Sequence, residues 1–263
     1  MTRRNSGSGG VSSRLLRIGA LLLIAVVGPS RGLLAADFSV SPMSLEFPGG
    51  ARSGEIEVRN LDQQPIRFQV LGVDWSQDEA AKNIYSESRS LIWFPRTLEL
   101  APGESRIIRV GVRATPATQE QAYTVVLQEV AAAEFKAEKG AAQVRVLLSV
   151  SVPVFVPPVK PVAGGAIESA ELRSGTLAIV IANGGNRHFS YREAAVVGLG
   201  EDGAGKFSHT SPGRTLLAGS RQRVEVKIPQ DTCRQLRELA LTLTTSEQPE
   251  IKRRLDVSRT DCE

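Results

Sequence analysis

The chain has little of what catalytic and metal-binding sites are usually made from. Its 263 residues include two histidines and two cysteines. Neither HExxH nor CxxC spacing occurs, so a zinc site with recognisably spaced ligands is not encoded. P-loop and GxSxG patterns are missing too, which removes the Walker-type phosphate cradle and the serine elbow. His188 and His209 fall in turn-rich surroundings and read as exposed or locally bonded residues, not as ligands or bases. The carboxylates are scattered, and nothing nominates a glycosidase pair. The expectation is a protein that is not an enzyme and needs no cofactor or metal.

Charge of one sign is also missing once the N-terminus is set aside. Arg3, Arg4, Arg14 and Arg17 precede the apolar run Ile18 to Gly28, and Ala35 and Ala36 offer a cleavage site before Asp37. This is the pattern of a secretory signal, and the run is short for a bilayer span. Residues 1–36 are therefore expected to be removed on export, with no membrane insertion afterwards. The chain's 32 basic residues less the five arginines of this segment leave 27 against 28 acidic ones, a formal charge of −1. A mature chain of that balance carries no basic footprint for nucleic acid and no polybasic run for a membrane surface.

Helical periodicity is the third absence. About 227 mature residues read instead as short runs alternating apolar and polar, separated by turn residues. In the first half these are Phe38 to Phe47, Glu55 to Asn60, Ile66 to Trp75, Leu91 to Leu100, Arg106 to Arg113, Tyr123 to Val130 and a long run from Val144. Turns are expected at Pro48-Gly49-Gly50, Asp62 to Pro65 and Pro102-Gly103. The apolar phase slips between Val70 and Leu71, which predicts a bulge. Ala131 to Ala142 reads as a loop between two strands. Pro157, Pro158, Pro161 and Gly164-Gly165 mark a boundary, stiff and then flexible. Beyond it lie Leu177 to Ala182, Tyr191 to Leu199, Val224 to Ile228, Leu239 to Thr245 and Ile251 to Val257, with a turn at Asn183-Gly184-Gly185-Asn186 and a surface loop at Glu201 to Gly205. No sequence repeat is visible. The fold class is all-β, two immunoglobulin-like sandwiches in tandem, divided as 37–158 and 159–263.

Cys233 and Cys262 suit one disulfide in an exported chain. A hairpin turning at Glu247 and Gln248 would bring them close. Leu239, Leu241, Ile251 and Leu255 set a register that leaves the cysteines one step out of phase, so an irregular strand end or a bulge is required.

The stretch QVRVLLSVSVPVFVPP, Gln143 to Pro158, has Val144, Val146, Leu148, Val150, Val152, Val154 and Val156 at alternate positions. Two readings are open. The row is core and Arg145, Leu147, Ser149 and Ser151 face water, or the strand is an edge that another chain pairs with by β-augmentation.

Several segments resemble the periplasmic chaperones of chaperone-usher pilus assembly. LELAPGESRIIRV, Leu98 to Val110, is similar to that family's strand-turn-strand pattern. Tyr123, Leu127, Glu129 and Val130 resemble its next strand, SVSPMSLEF from Ser39 its first strand, and NGGNRHF from Asn183 a turn of its second domain. VDW with Gln77 leans toward the archaic branch. The resemblance implies a periplasmic chaperone that stabilises pilus or fimbrial subunits by lending them a strand, without ATP, until an outer-membrane usher exchanges it. Val144, Val146, Leu148, Val150 and Val152 fall where the donor residues belong. The family anchors its client's terminal carboxylate with two cations, and here those positions are Ser44 and Pro153. Either another cation such as Arg145 or Lys160 takes over, or the client is handled differently. A self-capping dimer through the same edge is compatible with the resemblance. The rival readings are a structural fibre subunit or adhesin, and a carbohydrate-active β-sandwich enzyme.

Overall fold

The computed structural model describes residues 37–47, 51–113, 117–130, 146–245 and 249–263. The expected export signal, the expected turns at Pro48-Gly49-Gly50 and Glu247, and the expected loop at 131–142 lie outside them. The first sandwich packs two sheets. One has the order β1 (Phe38–Ser41), β3 (Ser53–Asn60), β8 (Ser105–Val112), β6 (Leu91–Phe94). The other has the order β2 (Leu45–Glu46), β10 (Ser149–Val156), β9 (Gln121–Glu129), β4 (Ile66–Gln77), β5 (Asn83–Glu87), with β7 (Thr97–Leu100) also on β4. Alternation sends Ile56, Val58, Phe68, Val70, Ile108, Val110, Val125 and Leu127 into one shared core, as the pleat requires. Trp93 crosses the layer, and its indole N–H donates to the Val70 carbonyl at 2.9 Å. Gly72 lies beneath that ring: a Cβ there would meet Trp93 at 2.4 Å.

The second sandwich packs β11 (Gly165–Arg173), β12 (Thr176–Asn183) and β15 (Arg221–Lys227) against β14 (Gly205–Leu216), β13 (Phe189–Leu199), β16 (Glu238–Thr245) and β17 (Ile251–Asp256). Leu239 faces Leu255 and Leu243 faces Ile251 across the last hairpin. Cys233 ends the one-turn helix α1 (Gln230–Cys233) before it, and Cys262 lies in a 3₁₀ turn after it. Their sulfurs are bonded, with Cα atoms 5.8 Å apart. The helical turns supply the irregular ends that the register demanded.

Several expectations are corrected. Phe38 to Phe47 is not one strand: β1 pairs with β3 in one sheet and β2 with β10 in the other. Leu91 to Leu100 likewise divides, after Phe94, into β6 and β7 on opposite sheets. The bulge near Val70 is absent, since β4 pairs with β9 from Phe68 to Asp74 without a shift. The apolar phase changes because β4 uses both faces. Its first part faces the core, while Trp75 faces the other way, onto Phe155 and Leu217.

A repeat invisible in the sequence appears in the hydrogen bonds. Asn60, fully buried at the end of β3, donates through Nδ2 to the carbonyls of Gln64 (2.9 Å) and Leu100 (3.1 Å), and its Oδ1 accepts the Asp62 N–H (2.8 Å). Asn183, buried at the end of β12, donates to Arg187 (2.8 Å) and Leu216 (3.0 Å) and accepts from Gly185 (3.0 Å). Gly103 and Gly219, with φ of 75° and 80°, donate their N–H to the carbonyls of Asn60 and Asn183. Such φ values suit glycine. The two sandwiches thus lock the same corner with the same device.

Candidate functional site: an open strand edge

β10 supports two environments along one strand. It pairs antiparallel with β9 from Ser149↔Gln128 to Val156↔Gln121, and parallel with β2 only at Val154 and Phe155. The Glu129 N–H donates to the Leu148 carbonyl at 2.9 Å and the Phe47 N–H to the Phe155 carbonyl at 3.0 Å. Backbone groups alternate in direction along a strand. The even-numbered residues therefore bond β9, and Ser149, Ser151 and Pro153 turn theirs toward an edge that no described strand covers. Pro153 sits where a missing N–H costs no ladder bond.

The predicted donor row splits accordingly. Val144 and Arg145 lie outside the described residues. Val146 is 45% exposed, Leu148 is half-buried, and Val150 is half-buried against the first core. Val152 is 0% exposed, as is Val154, and both are members of that core. Val152 is thus corrected from a donor side chain to a structural one, because the opposite sheet already covers it. Glu129 starts the pairing: its Oε2 accepts the Leu148 N–H at 3.1 Å, alongside the backbone bond. This second bond was not legible in the sequence, although Glu129 was singled out as a motif residue.

Ser44 is exposed, in the crossing between β1 and β2, and Pro153 is half-buried. Lys160 is exposed, and its carbonyl accepts from Asn186 Nδ2 at 2.9 Å. The cations beside β2 come instead from the second sandwich. Arg187 Nη2 lies 3.4 Å from Glu46 Oε1, and its side chain is 27% exposed.

His188, expected to be exposed or locally bonded, is half-buried with its side chain 8% exposed, and its partners are remote in sequence. Its backbone N–H donates to Glu120 Oε2 at 2.7 Å, and its Nδ1 lies 2.8 Å from the same oxygen. Its Nε2 is 3.7 Å from Glu46, and the ring stacks on Phe155 with centroids 3.9 Å apart. With both edges facing carboxylates and one face under a phenyl ring, the imidazole joins the two sandwiches and has little room for a substrate. His209 is surface-exposed and bonds Ser211 at 3.1 Å. On neighbouring β9, burial pushes the Tyr123 phenol up, and the Asp74 charge adds to it. No cluster of three or more His, Cys, Asp or Glu suited to a metal occurs among the described residues.

A second apolar surface lies on the other sheet, where Ile92, Phe94 and Ile107 are 44%, 72% and 51% exposed. Phe94 and Ile107 flank a shallow groove of about 550 Å³ that also takes in Pro95 and Arg109.

Residues 37–161 match the family model described as pili and flagellar-assembly chaperone, PapD N-terminal domain. No curated protein matches the chain. Among solved structures, the chain is similar to the CsuC–CsuE chaperone–tip adhesion subunit pre-assembly complex from archaic chaperone-usher Csu pili of Acinetobacter baumannii. Identity is 17% and the TM-score 0.56, over 82% of this chain and 98% of that one. It is also similar to the Salmonella enterica SafA pilin in complex with the SafB chaperone, at 12% identity and TM-score 0.53, over 85% of this chain and 99% of the other. The CupB2 chaperone of Pseudomonas aeruginosa gives 11% identity and TM-score 0.52, over 84% of this chain and 100% of that one. At such identities these likenesses speak to the fold.

Proposed function

We propose, from the match of residues 37–161 to the pili and flagellar-assembly chaperone family, PapD N-terminal domain, that the chain is a periplasmic chaperone that binds pilus or fimbrial subunits by donor-strand complementation and passes them to an outer-membrane usher. The family and fold are those of non-enzymatic chaperones. Two of the similar folds are chaperones solved with a subunit, which supports the same class of partner here. The observation that carries the reading is the open edge at Ser149, Ser151 and Pro153, beside a row of side chains that is exposed at Val146 and buried by Val152.

On this reading Val144, Val146 and Leu148 enter the client, and Val150 closes the seam between client and chaperone core. Each such side chain, once covered, contributes roughly 1.5–3 kcal/mol, before the ordering costs of association. That is enough to hold an incomplete sandwich and still permit exchange. Ser44 and Pro153 offer no charge to a client's terminal carboxylate, and Arg187, which pairs with Glu46 beside β2, is a candidate to supply it. A bidentate Arg–carboxylate pair is the natural chemistry for that task. Without a client, the same edge would suit a self-capping dimer.

The test separates edge from side chain. Ser151→Pro removes one N–H from the open side of β10 while leaving every apolar side chain in place. The expected result is a chain with unchanged circular dichroism and thermal midpoint that no longer co-purifies with an exported β-rich subunit. Undiminished capture would overturn the edge-pairing reading.

A further inference from the structure

We propose that the β4–β5 hairpin is an interdomain strap, a piece of the first sandwich built into the second that fixes the angle between them. The hairpin begins where β4 outruns its own core: the part of β4 from Val73 to Gln77 pairs with β5. Three kinds of contact then reach across. Trp75 is buried against Phe155 and Leu217, and its indole N–H donates to Asn83 Oδ1 at 3.1 Å. The Gln77 side chain imitates a strand: its Nε2 donates to the Thr215 carbonyl at 2.9 Å and its Oε1 accepts the Leu217 N–H at 2.8 Å. Arg214 donates to the Ala81 carbonyl at 2.7 Å.

The tip is shaped for its socket. Asp78 Oδ1 accepts the N–H groups of Ala80 (3.0 Å) and Lys82 (2.8 Å) and so holds the turn. Ala81 sits at φ 57° and is 0% exposed, within the core cluster of the second sandwich. A left-handed alanine is unfavourable, and glycine would remove that cost. Glycine would also remove the methyl group that packs in the socket. Every residue of β5 itself is exposed, including Ile84 and Tyr85 at 48% and 51%, so the hairpin contributes little to its own domain's core. Its buried residues, Trp75 and Ala81, belong to the junction and the second core. The covalent linker at 157–164 contains both prolines and Gly164 and would leave the angle looser without this strap.

The strap is tested with spin labels at the exposed positions Ser105 and Lys252, comparing the intact chain with Gln77→Ala/Arg214→Ala. These substitutions leave both apolar cores complete. The native chain is expected to give one narrow distance distribution, and the double variant a distribution at least twice as wide, with amide protection inside β9 and β16 retained. An equally narrow distribution in the double variant would overturn the proposal. So would a broad distribution in the native chain. If the double variant lost protection in β16, the single Gln77→Ala would serve, and its width must then exceed the native width for the proposal to stand.

Discussion

Asn60 offers a calculation that can be checked directly. Asn60→Ala deletes both Nδ2 donations and the Oδ1 acceptance from Asp62. The Leu100 carbonyl lies at a residue with 0% exposure, so it is left without that donor where water cannot replace it. A buried unsatisfied group costs about 1–3 kcal/mol, and the turn bonds to Gln64 and Asp62 add about 1 kcal/mol, for a total of roughly 2–4 kcal/mol. Trp93 belongs to the first core and Trp75 to the junction, so tryptophan fluorescence in urea, read in a Trp75→Phe background, reports the first sandwich. With a slope of about 1.5 kcal/mol per molar urea, the midpoint should fall by roughly 1.3–2.7 M. Asn60→Asp should do no better, since it keeps the acceptor but adds a buried charge. The duplicated geometry predicts a loss of similar size for Asn183→Ala, read by hydrogen exchange in β12 and β13. A fall of less than 0.3 M urea for Asn60→Ala would refute the reasoning.

Other outcomes follow from single contacts. Gly72→Ala should destabilise the first sandwich by about 1–3 kcal/mol, seen as a lower fluorescence midpoint, because its Cβ would meet Trp93 at 2.4 Å. Replacing Cys233 and Cys262 by serine opens a loop spanning 29 residues and should cost the second sandwich about 3–4 kcal/mol, measured by hydrogen exchange in β16. The Glu104 carboxyl is held below its ordinary value of 4.5 by the Ala101 N–H and then by Arg106. Its contribution to stability is therefore present above about pH 4.5 and lost as pH falls through the lowered value. In an NMR titration, Arg106→Ala should move it upward.

Much of the architecture was legible because one face of most strands is buried and the side-chain period is two. Phe68, Val125 and Leu127 announced themselves in that way. The edge strands did not: β14, GKFSHTSPGRTL, carries polar residues on most positions, as edges do, and the alternation of β11, GAIESAELR, is broken by a register shift between Ile167 and Ser169. The breaks at Pro42 and Pro95 read as strand interiors because apolar residues resume at Leu45 and Leu98, although the chain has by then changed sheet. Trp75 misled in the opposite sense. Its phase suggested a bulge, yet it is apolar for the sake of a neighbouring domain, which local pattern cannot reveal. The site was half legible: the alternating row named the strand, but only burial separates Val146 from Val152. His188 looked like a turn residue since its partners, Glu120 and Phe155, are remote in sequence.

The central claim is tested most directly by capture from the periplasm of the native host, with tagged native chain beside Val146→Asp and both checked by circular dichroism. Val146 is 45% exposed, so the variant should fold as the native chain does. A small exported β-rich subunit should accompany the native chain and be lost from the folded variant. Equal capture by both, or a Val146→Asp chain that unfolds, would contradict that claim.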